Sequence, residues 1–369
     1  MASYDVIVIG GGAAGAACAR ELARAGRQVL IIEPGGTPGS AWKAAAGMLA
    51  PQIEAGPGDP LLELGLAGRE HYIALAAELR DRTGIDVGLW QEGIARVATS
   101  AAEAAELRTN VQWQQRQGHL CDWLDQDEVR RRWPWLGPTG GALWAARDGA
   151  IDPEQLVRAL LADAQGAGAV IANDRAVGVD RAGNRVTGVT GQSGRYAAEH
   201  VIVAAGAWSA LLEGLPRQLP VQPIRGQMIA LPWPAGVPRT IVYNKDCYLL
   251  ARGSEAIIGS TMEQVGFQPE VTAAGVARIF AATVLLYPNL IRAKVRRTWA
   301  GLRPVTPDGL PIIGGDPLLN GLWYATGHGR NGILLAGITG VLIRQLLDGE
   351  ATVKDAQPYA PTRSIILRA

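Results

Sequence analysis

The N-terminal stretch YDVIVIGGGAAGAACARELARAGRQVLIIE places a glycine-rich turn between a short apolar run and a segment rich in small residues. Residues 4–9, YDVIVI, form a short and mostly apolar run, which is typical of a strand covered on both faces of a parallel sheet. We expect residues 13–25 to form a helix that ends at Gly26, and a second buried strand to end at Glu33. The order predicts a βαβ unit at the start of an α/β fold.

Three glycines in this turn fit the pattern G-x-G-x-x-G between a strand and a helix, where a dinucleotide site requires it. Gly10 permits a tight turn, Gly12 lets the backbone approach a pyrophosphate, and Gly15 brings the helix against the strand. Glu33 follows 18 residues after Gly15 and is placed to accept from a ribose hydroxyl. Because a carboxylate repels a 2′-phosphate, NADP is disfavoured, and both NAD and FAD stay open.

The segment after Glu33, PGGTPGSAWKAAAGMLAP, has no helical or strand period and must be held by other parts of the fold. Residues 44–47 are small enough for the backbone to lie against a flat ring system such as an isoalloxazine. A domain for NAD would normally continue with further crossover helices. The loop therefore favours FAD over NAD.

The rest of the chain changes pattern several times without an internal repeat. Strands separated by turn residues fill residues 169–205, and further strands fill 219–262. Helices are predicted at 60–82, at 151–165 with Asp152 as its N-terminal cap, and at 270–287. This order predicts a nucleotide domain interrupted by a mostly antiparallel substrate domain, as the chain length also favours.

Composition narrows the partners of the chain. It has 369 residues with 48% hydrophobic residues, 19% charged residues and a formal net charge of +1, which argues against nucleic acid and favours small-molecule ligands. Three scattered cysteines and four scattered histidines indicate neither a disulfide framework nor a metal site. We expect a cytoplasmic protein without a secretory signal, and no membrane span, because Arg344 and Gln345 interrupt the apolar stretch 333–347.

Several stretches of the chain together resemble the D-amino-acid oxidase superfamily, and within it the glycine oxidase group. They are AAAGMLAP at 44–51, VIVAAGAWS at 201–209, AIIGSTMEQVGF at 256–267, GLRPVTPDGLPIIG at 301–314 and GHGRNGILLA at 327–336. The resemblance implies FAD bound by a glutathione-reductase-like domain that is interleaved with a mostly antiparallel β substrate domain. The expected FAD domain comprises 1–85, 145–215 and 299–369, and the expected substrate domain comprises 86–144 and 216–298.

The resemblance also implies a site for an amino acid. Such a site must hold a carboxylate, and the planar fork of an arginine suits both of its oxygens. The resemblance gives this role to Arg303 and a hydrogen bond to Tyr248, with Met262 and Met48 as borders of the pocket and Arg330 as a second positive group. Alternative interpretations are a structural salt bridge for Arg303, core packing for Tyr248 and a solvent-facing helix start for Arg330. No protein acid or base is required, because flavin N5 accepts the hydride.

The expected contacts of FAD follow from the glycine-rich turn and from the resemblance. They are Gly10, Gly12, Ala13, Ala14, Gly15, Glu33, Ala45, Ala46, Gly47, Met48, Val177, Ala205, Gly206, Gly329, Arg330, Asn331, Gly332, Ile333 and Leu334. Backbone amides of residues 332–334 would stabilise negative charge on the reduced ring. We expect non-covalent FAD, because Gly301 occupies the place of the cysteine that links flavin in the related monomeric sarcosine oxidases.

Three functions are compatible with these residues. The first is an oxidase that converts glycine, sarcosine or small D-amino acids to imines and 2-oxo acids with O2 reduced to H2O2, in a homo-oligomer that serves thiamine thiazole synthesis. The second is a dehydrogenase for D-amino acids, sarcosine or D-proline that passes electrons to a quinone or another acceptor. The third is a nucleotide-binding subunit without catalysis, which would have no use for Arg303, Tyr248 and Arg330 together.

Overall fold

The computed structural model describes residues 3–363 and residue 366 of the chain. Its strands are β1 (Ser3–Ile9), β2 (Val29–Ile32), β3 (Met48–Leu49), β4 (Ile94–Val97), β5 (Asp122–Leu124), β6 (Ala142–Ala145), β7 (Gly149–Ala150), β8 (Val170–Ala172), β9 (Ala176–Ala182), β10 (Arg185–Gly191), β11 (Arg195–Val203), β12 (Gln222–Pro232), β13 (Ile241–Tyr243), β14 (Tyr248–Arg252), β15 (Glu255–Gly259), β16 (Arg297–Val305), β17 (Ile312–Gly315) and β18 (Leu322–Thr326).

Its α-helices are α1 (Ala13–Arg24), α2 (Ala41–Ala44), α3 (Pro51–Glu54), α4 (Leu62–Thr83), α5 (Ala101–Arg116), α6 (Gln126–Arg132), α7 (Pro153–Gly166), α8 (Ala273–Leu286) and α9 (Gly332–Asp348). Short 3₁₀ turns cover Gly206–Leu211, Pro288–Arg292, Gly329–Asn331 and Gln357–Tyr359.

The first sheet carries the predicted βαβ unit. Its order is β17-β18-β11-β1-β2-β8, and β10 and β9 continue from β11. Strands β8, β2, β1, β11 and β18 run parallel, whereas β17, β10 and β9 pair antiparallel. Helices α1, α4, α7 and α9 share one apolar core on one face of the sheet. The hairpin of β9 and β10 shares a second core with the alternate side chains of β1 and β2, so both faces are covered.

The second sheet is mostly antiparallel. Its order is β16-β12-β15-β14-β13-β4-β6-β5, and β13 pairs in parallel with β4. β12 and β16 pair along nearly their whole length, with Arg303 opposite Ile224. This mixed α/β architecture confirms the predicted fold class.

Most of the predicted elements are present with small shifts at their ends. Helix α7 begins after Asp152, whose carboxylate accepts from the backbone N–H groups of Glu154 at 2.9 Å and Gln155 at 3.1 Å, as predicted. Helix α8 begins at Ala273, three residues later than predicted. The elements between residues 86 and 144 were not predicted, and they include α5 and α6.

The two sheets divide the chain near the expected domain boundaries but differ from them at β16. We expected residues 299–369 to belong to the FAD domain, yet β16 (Arg297–Val305) is paired throughout with β12 of the second sheet. The boundary that we expected between residues 298 and 299 therefore lies too early in the chain. The strand that bears Arg303 belongs to the antiparallel sheet, so this sheet extends to residue 305. The division into two domains otherwise stays a prediction.

The C-terminal apolar segment forms a core helix. Residues Gly329–Asp348 are long and apolar enough to cross a membrane by length and composition, but 61% of the most apolar window is buried inside the protein. The apolar side chains of α9 pack in the core that contains α1, α4 and α7. This burial accounts for the apolar character of the segment.

Gly15 is required by the close approach of α1 to the turn before it. A Cβ atom at this position would lie 1.9 Å from the carbonyl oxygen of Gly10. Because the clash is with backbone, a small shift of a side chain cannot relieve it. The third glycine of the pattern therefore serves packing of the helix against the strand, as predicted.

A Gly15→Ala variant should be less stable than the wild type by about 1–3 kcal/mol, the usual cost of overpacking a close-packed site. Gly166→Ala is the matched control: Gly166 ends α7, a Cβ there meets nothing within 4 Å, and alanine favours a helix. Urea unfolding followed by tryptophan fluorescence measures both variants. Equal unfolding free energies for the two would contradict the proposed role of Gly15.

Candidate active site

One cavity of about 510 Å³ is lined by residues from both sheets. At one end it is bounded by Gly10, Glu33 and the start of α1, and at the other by Arg303 and Tyr248. It is also lined by most of the predicted FAD contacts, namely Gly12, Ala13, Ala14, Ala45, Ala46, Gly47, Met48, Val177, Ala205, Gly206, Gly329, Arg330, Asn331, Gly332 and Ile333. One continuous space therefore joins the predicted nucleotide and substrate residues.

Two predicted FAD contacts lie elsewhere. Gly15 does not line the cavity, because its helix turn packs on the backbone of Gly10. Leu334 lies on the α4 side of α9, where a Cβ placed on Gly68 would meet its carbonyl oxygen at 2.6 Å. Its side chain lines a second, smaller cavity. The helix period turns residue 334 away from the large cavity.

The nucleotide end has a fixed carboxylate beside a free helix N-terminus. Glu33 follows β2, and its Oε2 accepts from the backbone N–H of Gly11 at 2.7 Å. Helix α1 begins at Ala13 with Gly12 as its N-cap, so no side chain caps its first N–H groups. These amides and the helix dipole favour an anion such as a pyrophosphate. The number of residues between the glycine-rich turn and Glu33 is the one that a ribose-binding carboxylate requires.

The loop of small residues is anchored by two kinds of contact. Met48 and Leu49 pair with Ala150 and Gly149 as the two-stranded sheet of β3 and β7. The Arg252 guanidinium, from the end of β14, donates to the carbonyl oxygen of Ala46, and to that of Ile151 at 3.1 Å. The second sheet thus holds the loop that we expect to face the flavin ring.

No pattern in the sequence indicates this role of Arg252. Burial lowers its pKa, although the nearby carboxylate of Asp152 raises it, with 3.9 Å between Nε and Oδ2. A partly buried guanidinium that donates to two carbonyls of other segments fixes their spacing. The strand pattern CYLLAR predicts only that the residue ends a strand.

Arg303 enters the cavity from β16. Its Nη2 donates to Ser260 Oγ at 2.7 Å and its Nη1 to the carbonyl oxygen of Thr261 at 3.2 Å. Among the residues that the structure describes, no carboxylate forms an ion pair with it. Gly226 makes room for the guanidinium, because a Cβ there would lie 1.9 Å from Nη1. Burial lowers the pKa of Arg303, which is the expected effect on a cation without an anionic partner.

Tyr248 lies beside this guanidinium. Its side chain is 7% exposed, its hydroxyl is 3.2 Å from Met228 Sδ, and it pairs with Gly259 of β15 across the sheet. Burial raises the pKa of Tyr248, while the charge of Arg303 lowers it. The hydroxyl therefore stays protonated at neutral pH and can donate a hydrogen bond to a ligand held by Arg303.

The two predicted methionines line the cavity in different ways. Met48 is partly buried in β3, at the end of the small-residue loop. Met262 is 55% exposed and lines the cavity, as does Trp208, whose ring centroid lies 5.9 Å from that of Phe267. Neither side chain brings a charge, so both shape the wall.

Arg330 has a carboxylate partner that the sequence did not indicate. Its Nη2 donates to Glu54 Oε1 at 2.7 Å and to the Tyr243 hydroxyl at 3.0 Å, and its side chain is 46% exposed. Burial lowers its pKa, but the charge of Glu54 and the hydrogen bond to Tyr243 raise it above the ordinary value. The charge is thus matched by Glu54, and an ion pair with this exposure contributes only about 0–1 kcal/mol.

Cys247 also lines the cavity, but burial raises the pKa of its thiol to about 12. A thiol with this pKa stays protonated at neutral pH and is a poor nucleophile. Gly301, at the place where the resemblance puts a flavin-linking cysteine in related enzymes, lines the cavity as well. Both observations favour a flavin that is not covalently bound.

The fold and the cavity define a dinucleotide-dependent oxidoreductase whose cavity extends from the glycine-rich turn to the guanidinium of Arg303. The chain belongs to the family of FAD dependent oxidoreductases, which matches residues 5–346. FAD is its cofactor, as predicted.

Glycine oxidases and a bifunctional protein are similar to most of the chain. It is 36% identical over 367 residues to a glycine oxidase of Geobacillus kaustophilus, covering 98% of this chain and 97% of that protein. A crystal structure of glycine oxidase from Geobacillus kaustophilus superposes with a TM-score of 0.93 at 35% identity, covering 98% of this chain and 99% of that one. A bifunctional protein ThiO/ThiG of Nostoc sp. is 36% identical over 93% of this chain, which spans 52% of that longer protein.

An Arg252→Met variant should bind FAD at least about tenfold more weakly, because hydrogen bonds from a charged donor contribute about 1.5–3 kcal/mol and the loop at residue 46 loses its anchor. Arg296→Met is the control, since Arg296 lies beside the same sheet with its side chain 41% exposed. Quenching of flavin fluorescence on titration of apoprotein measures the dissociation constant. The same FAD affinity in both variants would contradict the anchoring role.

Proposed function

We propose that the protein oxidises glycine and other small amines, such as sarcosine and small D-amino acids, to the corresponding imines, with O2 reduced to H2O2. The observation that carries the proposal is Arg303: a partly buried guanidinium, without a carboxylate partner among the described residues, in the same cavity as the nucleotide residues. Its natural partner is the carboxylate of a small substrate. The names of the glycine oxidase relatives support the same substrate class.

The residues of this chain fit FAD. Glu33 and the free N–H groups at the start of α1 suit the ribose and the pyrophosphate, and the small loop at 44–47 leaves room for a flat ring. When bound, FAD supplies the oxidising chemistry by accepting a hydride from the α carbon of the substrate. The backbone N–H groups at the start of α9, which no side chain caps, would favour negative charge on the ring.

The protein's own part in the reaction is binding and orientation. Arg303 binds the substrate carboxylate, and its hydrogen bonds to Ser260 and Thr261 hold the guanidinium in position. Tyr248 donates to the bound carboxylate. The substrate must react with its amine neutral, so the ammonium proton leaves before oxidation, and no side chain of the chain attacks the substrate. Water then hydrolyses the released imine to the 2-oxo acid.

The resemblance to a bifunctional ThiO/ThiG protein supports a place in thiamine thiazole synthesis, in which the imine is the useful product. A homo-oligomer in the cytoplasm stays a prediction from the sequence.

The direct test is a peroxide assay on the purified FAD-bound protein with glycine, sarcosine, D-alanine and D-proline. We expect H2O2 in amounts equal to the amine consumed, with glycine or sarcosine as the best substrate. Bleaching of the flavin by glycine without O2 consumption would instead support the dehydrogenase, and an absence of bleaching by any of the four amines would contradict the proposal.

An Arg303→Met variant should raise the KM for glycine by about 30-fold or more, because loss of one partner of a buried charge pair costs about 2–5 kcal/mol. The flavin absorbance should be unchanged, since the nucleotide residues lie at the other end of the cavity. Arg297→Met, at the exposed start of the same strand, is the control. Steady-state kinetics of peroxide formation measure both, and the same KM in both variants would remove Arg303 from the substrate site.

A further inference from the structure

A second cavity of about 340 Å³ adjoins the first one. It lies between the loop after α3, strand β4 and the start of α9, and Arg96, Asp59 and Leu334 are among its lining residues. Its volume is within the range of about 300–1,000 Å³ that is usual for small-ligand sites. Its lining is mainly polar, in contrast to the apolar flavin cavity.

The two cavities share one wall. Ala50, Glu54, Tyr243, Arg330 and Asn331 line both of them. The ion pair of Arg330 with Glu54 at 2.7 Å, and the hydrogen bond of Arg330 to Tyr243 at 3.0 Å, close this wall. The Arg330 side chain therefore lies at the boundary between the two cavities.

The positive charge of the second cavity is only partly matched by protein. Arg96 Nη1 donates to the carbonyl oxygen of Ile53 at 3.2 Å, and the guanidinium lies 5.9 Å from the centroid of the Tyr243 ring. Arg96 Nε is buried and has no hydrogen-bond partner, and within residues 3–363 no carboxylate forms an ion pair with Arg96. The protein engages this guanidinium through one carbonyl oxygen and one aromatic ring, so its other N–H groups can bind a carboxylate.

The carboxylate of Asp59, in the same cavity, also has no cationic partner among the described residues. Asp59 Oδ1 accepts from the backbone N–H of Leu61 at 2.8 Å, and this bond shapes the loop before α4. Its other oxygen accepts no hydrogen bond from the described residues, which also offer it no ion pair. Arg96 and Asp59 therefore line one cavity without neutralising each other. Glu54 lines the same cavity, and its pKa is raised, chiefly by burial and also by Asp59, although Arg330 and Arg96 lower it.

A separated cation and anion in one small polar cavity complement a zwitterion. A small α-amino acid at neutral pH carries a carboxylate and an ammonium group on the same carbon, so it offers one group to each side chain. A simple anion or a simple amine would leave one of the two charges unmatched. The choice of an amino acid rests on the proposed function, since this is the compound that the flavin cavity consumes.

We propose that the second cavity is an antechamber that binds a small zwitterionic amino acid, with its carboxylate on Arg96 and its ammonium group on Asp59. The molecule waits there until Arg330 moves away from Glu54. The carboxylate of the amino acid can then pair first with Arg330 and next with Arg303. These two guanidinium groups are close enough for the charge of Arg330 to lower the pKa of Arg303. The substrate thus keeps a cationic partner along its path.

The test counts binding sites with a ligand that cannot be oxidised. 2-Aminoisobutyrate is a zwitterion without a hydrogen on its α carbon, and its radiolabelled form is measured by equilibrium dialysis against the FAD-bound protein. The variants are Arg303→Met for the flavin cavity, and Arg96→Met and Asp59→Asn for the antechamber. Asparagine keeps the oxygen that accepts from Leu61, so the loop is preserved. Arg130→Met, with a side chain 76% exposed on α6, is the control.

We expect one equivalent to persist in Arg303→Met and to bind at least tenfold more weakly in both Arg96→Met and Asp59→Asn. The control should behave as the wild type, and the persisting equivalent should leave the flavin spectrum unchanged. If Arg96→Met fails to retain FAD, Asp59→Asn decides alone. Loss of all binding in Arg303→Met, or full binding in the antechamber variants, would overturn the proposal.

Peroxide formation with glycine is measured on the same samples, which separates the two proposals. Wild-type protein that binds the antechamber equivalent but forms no peroxide contradicts the proposed oxidation and leaves the antechamber site intact. If the protein forms peroxide but its binding of 2-aminoisobutyrate does not depend on Arg96 or Asp59, the proposed oxidation stands and the antechamber is contradicted.

Discussion

The structure of the site depends on one cation that is kept partly buried without an anion of the protein. Removing a guanidinium from water is costly unless a counter-charge replaces the lost hydration. Arg303 is given only a hydroxyl and a carbonyl oxygen by the described part of the chain. Its remaining donors face a cavity that also contains the nucleotide residues. The guanidinium of Arg303 can therefore form its ion pair with an anionic ligand.

Both sheets are needed to keep this cation in place. The pairing of β12 with β16 places Arg303 on an antiparallel strand whose neighbour has a glycine at the point of closest approach. The parallel sheet brings the glycine-rich turn and Glu33 to the other end of the same cavity. Arg252 joins the two parts, because it extends from the antiparallel sheet to the loop at residue 46. A change in the contact between the sheets would separate cofactor and substrate.

The features that could be predicted from the sequence are local ones. The turn with Gly10 and Gly12 and the carboxylate of Glu33 lie within one βαβ unit, so spacing alone determines their geometry. Arg303 and Tyr248 followed from a resemblance between motifs and not from any period. Helix α5 was missed because its buried face includes Glu103 and Gln114, which conceal the apolar pattern of a helix.

The pairs that could not be predicted join distant parts of the chain. Glu54 and Arg330 are separated by 276 positions, and Arg252 and Ala46 by 206. In neither pair do the neighbouring residues in sequence indicate the contact. The position of Arg330 before an apolar helix is equally compatible with a solvent-facing side chain. The correction to Leu334 has a simpler cause, because only the exact phase of α9 decides which cavity a residue faces.

The most direct test of the account is a crystal structure of the FAD-bound protein with glycolate, which has the carboxylate of glycine but no amine to be oxidised. The account predicts that both carboxylate oxygens lie within hydrogen-bond distance of the Arg303 guanidinium, with the Tyr248 hydroxyl as a further donor and the α carbon toward the flavin. A glycolate that binds in this cavity without contacting Arg303 would contradict it.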